Sequence, residues 1–178
     1  MKRRALLFAL AAAPFAARAA GPKNMKTVDE LQKNWKSFLP AGATVPSATE
    51  PVKLSDQEWS KRLSPMSYRV MRKEGTEHAG SSPLNDEKRA GIFACAGCDL
   101  PLFTSEMKFE SGTGWPSFWA PVEDHVTTRP DDSLLMQRTE VVCAVCDAHL
   151  GHVFTDGPAP TGLRYCLNSV ALDFEPKK

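Results

Sequence analysis

Two Cys-x-x-Cys pairs, Cys95-Ala96-Gly97-Cys98 and Cys143-Ala144-Val145-Cys146, constrain this chain more than any other feature. Four sulfurs on two tight turns supply the ligands of one tetrahedral metal, at about 2.3 Å for a Zn–S bond. Each pair follows a strand-like run, residues 91–94 and 139–142. A strand ending in a tight turn aims two thiolates at one point, and Gly97 relaxes the backbone of the first turn. The 44 residues between Cys98 and Cys143 exceed zinc-ribbon spacing, so the two knuckles must meet through the tertiary fold. A closed shell of Cys95, Cys98, Cys143 and Cys146 has no open coordination position and would be structural. Two alternatives stand beside it: a pair of structural disulfides, and a shell in which His149 or His152 replaces a cysteine.

The ends of the chain bear on how those cysteines are read. Lys2, Arg3 and Arg4 precede an apolar run over residues 5–17, and Ala17-Arg18-Ala19 is a small-x-small cleavage site. Residues 1–19 therefore read as a secretory signal peptide. Its apolar run is shorter than the ~20 residues needed to span a bilayer, and no later run is long and apolar enough. Export to a bacterial periplasm is expected, and Arg3-Arg4 followed by Leu6-Leu7 fits a twin-arginine signal. Without Lys2, Arg3, Arg4 and Arg18 the 22 basic residues fall to 18 against 21 acidic ones, and the balance moves from +1 to −3. No cluster of lysine and arginine remains, which argues against nucleic acid as a partner.

Residues 20–54 look peripheral. Thr27 and Glu30 form a capping box, and Val28, Leu31, Trp35, Phe38 and Leu39 recur at helical spacing up to Pro40. Residues 40–51 read as a linker. The domain proper spans 55–178. A second capping box, Ser55 with Glu58, opens a helix through Leu63, and Ser64-Pro65 opens another that ends at Gly75. Beyond Gly91 the chain reads as short strands, at 91–95, 100–104, 134–138, 140–143, 149–154 and 165–174.

The fifth cysteine stands apart, in Arg164-Tyr165-Cys166-Leu167-Asn168. In a strand Arg164, Cys166 and Asn168 share a face. Val170, Leu172 and Phe174 have the same parity, which makes an inert core thiol the plainer alternative. Two polar neighbours on that face need partners, and a nearby cation favours the reactive thiolate. His149 and His152 lie three apart and face opposite sides of a regular strand; only a bend or bulge at Gly151 would turn both into one site. Around Trp115, residues 112–119 place aromatics between flexible backbone positions, which also fits a turn in the core.

These residues resemble one family. The run Asp147-Ala148-His149-Leu150-Gly151-His152-Val153-Phe154, then Asp156-Gly157-Pro158, then Gly162-Leu163-Arg164-Tyr165-Cys166 is similar to the B-type methionine sulfoxide reductases. So are Gly75-Thr76-Glu77, Ser111-Gly112 with Gly114-Trp115-Pro116-Ser117-Phe118, and both cysteine pairs. The resemblance covers roughly residues 55–174. It implies a mainly β fold: antiparallel sheets forming a small barrel-like core, a structural zinc site of four cysteines and short N-terminal helices. It implies reduction of methionine (R)-S-oxide in proteins and peptides, a repair of oxidative damage. Cys166 would attack the sulfoxide sulfur. His149, His152 and Asn168 match positions that polarise or protonate the sulfoxide oxygen, and Trp115 matches the aromatic that packs on the substrate methyl group. The expected assembly is a monomer.

Two departures are visible. Where many members carry a second, resolving cysteine, this chain has Thr113. With four cysteines on the metal, the Cys166 sulfenic acid needs an outside reductant, a thioredoxin-like protein or a small thiol. The residues after Gly75-Thr76-Glu77 are His78-Ala79-Gly80 instead of the family's basic or aromatic ones, which changes one expected pocket wall. Two other classes compete: a zinc-knuckle binding module with an inert Cys166, and a thiol–disulfide exchanger using one Cys-x-x-Cys pair.

Overall fold

The computed structural model describes residues 27–40, 42–133 and 137–177. The expected signal peptide at 1–19 and most of the expected strand at 134–138 lie outside the described residues. Helix α1, Val28–Lys33, starts on the Thr27/Glu30 capping box and tightens into a 3-10 turn at Asn34–Phe38. Helix α2, Asp56–Arg62, starts on the Ser55/Glu58 box, and α3, Pro65–Lys73, starts on Ser64 with proline in its first turn. The stop of α3 differs from expectation. Glu74, not Gly75, takes the left-handed conformation at φ 52°, and both Glu74 and Gly75 donate their N–H to the Arg69 carbonyl. No helix among the described residues is long and apolar enough to cross a membrane.

The rest is mainly β, in two antiparallel sheets. The smaller has β1 (Gly91–Cys95) between β2 (Pro101–Thr104) and β9 (Leu172–Pro176). The larger has six strands. In spatial order they are β3 (Lys108–Phe109), β4 (Ser117–Phe118), β8 (Arg164–Leu167), β7 (His149–Phe154), β6 (Arg138–Cys143) and β5 (Val126–Asp131). Aromatic side chains join the sheets. Phe93 of β1 meets Phe118 of β4 edge-on at 4.9 Å, and Phe103 of β2 stacks on Phe118 at 4.4 Å. All three are fully buried. Each ring pair adds about 0.5–1.5 kcal/mol beyond the apolar area it removes from water. Trp59, Val70 and Met71 of the helices extend the same core. A satellite cluster packs Trp35 and Phe38 on Ile92, Ala94 and Val122.

One expected strand is two. Residues 165–174 divide into β8 in the large sheet and β9 in the small one, with a 3-10 turn at Ser169–Ala171 between them. The break begins at Asn168, whose backbone N–H reaches the Leu150 carbonyl at 2.8 Å. The buried Glu77 carboxylate then accepts the N–H groups of Ser169 and, at 3.2 Å, Val170. The parity argument that put Cys166 in line with Leu172 and Phe174 therefore fails, because those residues belong to another sheet. Cys166 is half-buried.

Candidate active site

Strand register assembles most of the site. Across the large sheet Arg129 pairs with Glu140, Glu140 with His152, His152 with Cys166, and Cys166 with Ser117. Directly opposed residues share a face, so these five side chains form one row over five strands. Two residues along, Asp131, Arg138 and Phe154 occupy the same face.

His149 joins them through a bulge. Val141 pairs with Gly151 but Val142 with His149, leaving Leu150 as the extra residue. The insertion turns two histidines three apart onto one side, with ring centroids 5.4 Å apart. Asn168 secures the bulge: its side-chain Nδ2 and its backbone N–H both donate to the Leu150 carbonyl, and its Oδ1 accepts from the Glu77 N–H at 3.1 Å. At Gly151 a Cβ would collide with the Cys166 carbonyl oxygen, a backbone atom that cannot step aside. We expect Gly151→Ala to cost about 3 kcal/mol, read as a lower urea midpoint; a variant as stable as the wild type would contradict this packing.

Each histidine is backed by a carboxylate. His149 Nδ1 lies 2.6 Å from Glu140 Oε1, and Glu140 takes a two-pronged contact from Arg129. Burial works against charge on Glu140, but the Arg129 and His149 hydrogen bonds outweigh it and hold the carboxyl below its usual range. His152 Nε2 lies 2.8 Å from Asp131 Oδ2, and Asp131 also pairs with Arg138 at 2.6 Å. Hydrogen bonds from Ser133, with His152, push the Asp131 carboxyl far down. Burial pushes the His152 imidazole down against the pull of Asp131.

A cavity of about 220 Å³ opens over this row. Cys166, His152 and Asn168 line it with the aromatic Trp115 and Phe154, while His149 lines the adjoining hollow with Glu140. Thr76 and Arg138 also line it, and sequence reasoning passed over both. Thr76 could have been flagged from its place in Gly75-Thr76-Glu77; nothing local marks Arg138. The altered residues 78–80 are not in the lining. That turn packs on the loop before Trp115, where the Gly80 N–H meets the Gly114 carbonyl at 2.7 Å. Arg164 interacts with the Cys166 thiol as expected, and it also makes a bidentate pair with Asp156 at 2.9 Å and stacks on Phe154 at 4.4 Å. Thr113 Oγ1 sits 3.8 Å from Cys166 Sγ, at the end of a hydroxyl chain through Ser111 to Ser117.

The other four cysteines form a separate, buried cluster whose sulfurs all lie within 4.8 Å of one another. Cys95 Sγ is 3.6 Å from Cys146 Sγ, and Cys98 Sγ is 3.5 Å from Cys143 Sγ. A disulfide needs about 2.05 Å, whereas a metal–sulfur bond of about 2.3 Å sets tetrahedron edges of about 3.8 Å. The spacing fits a metal ion and not two disulfides, and no histidine enters the cluster. The two knuckles are copies. In each, the N–H of an aspartate just after the second cysteine, Asp99 or Asp147, bonds the carbonyl of the first at 2.8 or 3.0 Å. Both aspartates have positive φ, 61° and 54°. Gly97 does not; it leaves space instead, since a Cβ there would lie 3.2 Å from Met71 Cε and 3.5 Å from Cys146 Sγ. The repeated Cys-x-x-Cys-Asp was the legible signal for these turns.

Comparison with known proteins agrees with this geometry. The SelR domain model matches residues 63–176. The chain is 60% identical over 123 residues to a peptide methionine sulfoxide reductase MsrB of Pseudomonas putida (strain W619), covering 68% of this chain and 92% of the relative. It is 55% identical over 124 residues to the MsrB of Hahella chejuensis, covering 69% and 89%. It is 47% identical over 161 residues to the chloroplastic peptide methionine sulfoxide reductase B1 of Arabidopsis thaliana, covering 89% and 80%.

Proposed function

The chain belongs to the SelR domain family, that of the MsrB peptide methionine sulfoxide reductases, and from this premise we infer that Cys166 is its nucleophile, acting on the R epimer. The protein is an oxidoreductase that reduces methionine sulfoxide in proteins. The observation that carries the assignment of Cys166 is its register opposite His152 on the floor of a cavity walled by Trp115. A sulfoxide sulfur accepts a nucleophile only as its oxygen takes a proton, so the chemistry needs a thiolate and an acid together.

The Cys166 sulfur bonds the sulfoxide sulfur while a proton reaches the sulfoxide oxygen. The oxygen then passes to Cys166 as a sulfenic acid, and the thioether leaves. The sulfoxide gains two electrons and the thiol loses two. His149 and His152 are the candidate acids, Asn168 holds the bulge that presents them, and Trp115 with Phe154 receives the methyl group. An apolar wall facing a polar oxygen site distinguishes two epimers that differ only in handedness. Incubating both epimers of a blocked methionine sulfoxide with dithiothreitol tests this. Consumption of the R form alone is expected; no consumption, or preference for S, overturns it.

The sulfenic acid has no internal partner. An outside thiol condenses with it, releasing water and leaving a mixed disulfide, and a second thiol frees Cys166. We expect a sulfenic-acid probe such as dimedone to label Cys166 after one turnover without thiol. In Thr113→Cys, whose new sulfur starts near the present 3.8 Å contact, an internal disulfide should replace that label. An internal Cys166 disulfide in the wild type would sink the one-cysteine cycle.

The metal is zinc, held by Cys95, Cys98, Cys143 and Cys146; four soft thiolates without an open position support this choice. The basic and apolar run at residues 2–17 supports export to the periplasm. Fractionation of the full chain tests it, and retention of uncleaved protein in the cytoplasm would refute it.

A further inference from the structure

The two histidines use opposite nitrogens on their carboxylates. His149 uses Nδ1 on Glu140, and His152 uses Nε2 on Asp131. A carboxylate accepts, so the bonded nitrogen carries the proton in each ring. What remains free is Nε2 on His149 and Nδ1 on His152. The His149 side chain is only 3% exposed, and its Nε2 has no hydrogen-bond partner among the described residues. A buried polar atom without a partner is costly enough to be rare, and here it points to a ligand atom that completes the site.

The carboxylate behind His149 is not a rim group. Glu140 is 7% exposed, and Arg129 grips both of its oxygens. On the reading of this site as a sulfoxide reductase, we propose that Glu140, braced by Arg129, is a positioning residue: it fixes His149 as the Nδ1–H tautomer, presents Nε2 to the sulfoxide oxygen and steadies the proton there. In the reaction, that proton leaves Nε2 for the sulfoxide oxygen as the Cys166 thiolate bonds the sulfoxide sulfur. The protonated oxygen ends on Cys166, and His149 ends neutral with its Nδ1–H still on Glu140. One proton, one oxygen and two electrons are thereby accounted for.

The other charges around His149 leave this role to Glu140. Strand β6 also supplies Arg138, which is paired with Asp131 of β5. Lys73 and Glu74 at the end of α3, and Asp132 after β5, line the same hollow without a hydrogen bond to the ring. His152 on the same strand is tied to Asp131. Among the described residues, Glu140 is the group hydrogen-bonded to the His149 imidazole, and the His152 ring packs edge-on against it at 5.4 Å.

The test is Glu140→Gln, which keeps the shape and removes the charge. At pH 7, kcat should fall about 10²-fold with KM little changed. The alkaline limb of the pH–rate profile should move to lower pH, because a positive ring would have lost its counter-charge. Glu140→Asp should recover part of both. An unmoved alkaline limb in a folded, metal-loaded Glu140→Gln overturns the proposal. If that variant does not fold, long-range ¹H–¹⁵N spectra of the wild-type imidazoles decide: His149 protonated on Nδ1 supports it, and protonation on Nε2 with a bare Nδ1 overturns it. Wild-type protein that consumes no sulfoxide would refute the reductase reading separately, because the tautomer measurement does not depend on turnover.

Discussion

Cys166→Ser lowers turnover of methionine (R)-S-oxide by at least about 10³-fold, leaving only background. A serine oxygen cannot accept the sulfoxide oxygen, so neither His149 nor His152 can rescue the reaction. The structure also requires that little else change. Cys166 is half-buried and outside the metal cluster, and its polar neighbours include Thr113 and Arg164. Stability should stay within about 1 kcal/mol of wild type, and bound metal should stay near one per chain. Measured together, kcat, urea midpoint and metal content separate lost chemistry from lost fold. Residual activity within tenfold of wild type would remove Cys166 from the mechanism.

The second large effect concerns the metal. Structural zinc contributes about 10–16 kcal/mol of apparent binding free energy in small zinc-finger domains. A whole domain is stable by about 5–15 kcal/mol. Cys98→Ser or Cys143→Ser should therefore unfold the protein or drop its thermal midpoint steeply, and a strong chelator with the wild type should do the same. Circular dichroism during chelation, with metal counted by mass spectrometry, gives the answer. A chelated, metal-free protein with an unchanged melting curve would show that the four sulfurs stabilise the fold without an ion.

What the sequence revealed divides by distance along the chain. Helix starts were legible because Thr27 with Glu30, Ser55 with Glu58, and Ser64 with Pro65 settle them within one turn. Strands β1 and β7 stood at their expected bounds, each a compact run. Strand β5 went unread. Its residues Val126–Asp131 are mostly polar and include Pro130, which suits a sheet edge and weakens any strand signal. The division of 165–174 was illegible for another reason. Alternation continues unbroken through Asn168 and Val170, while the groups that break it are the Leu150 carbonyl and the Glu77 carboxylate, far away in sequence. The same holds for Glu140 and Asp131. Nothing local marks either as a histidine's partner, because the pairing depends on strand register and on one inserted residue.

The turn after Asn168 also ties chemistry to metal. Three residues beyond it, the Ala171 carbonyl accepts the N–H of Ala96, inside the first knuckle, and Leu172 pairs with Cys95. The backbone that carries Cys166 is thus moored to the first cysteine knuckle. An oxidant that strips the thiolates would unmoor it, so this repair enzyme is exposed, at four other sulfurs, to the same kind of damage that it reverses.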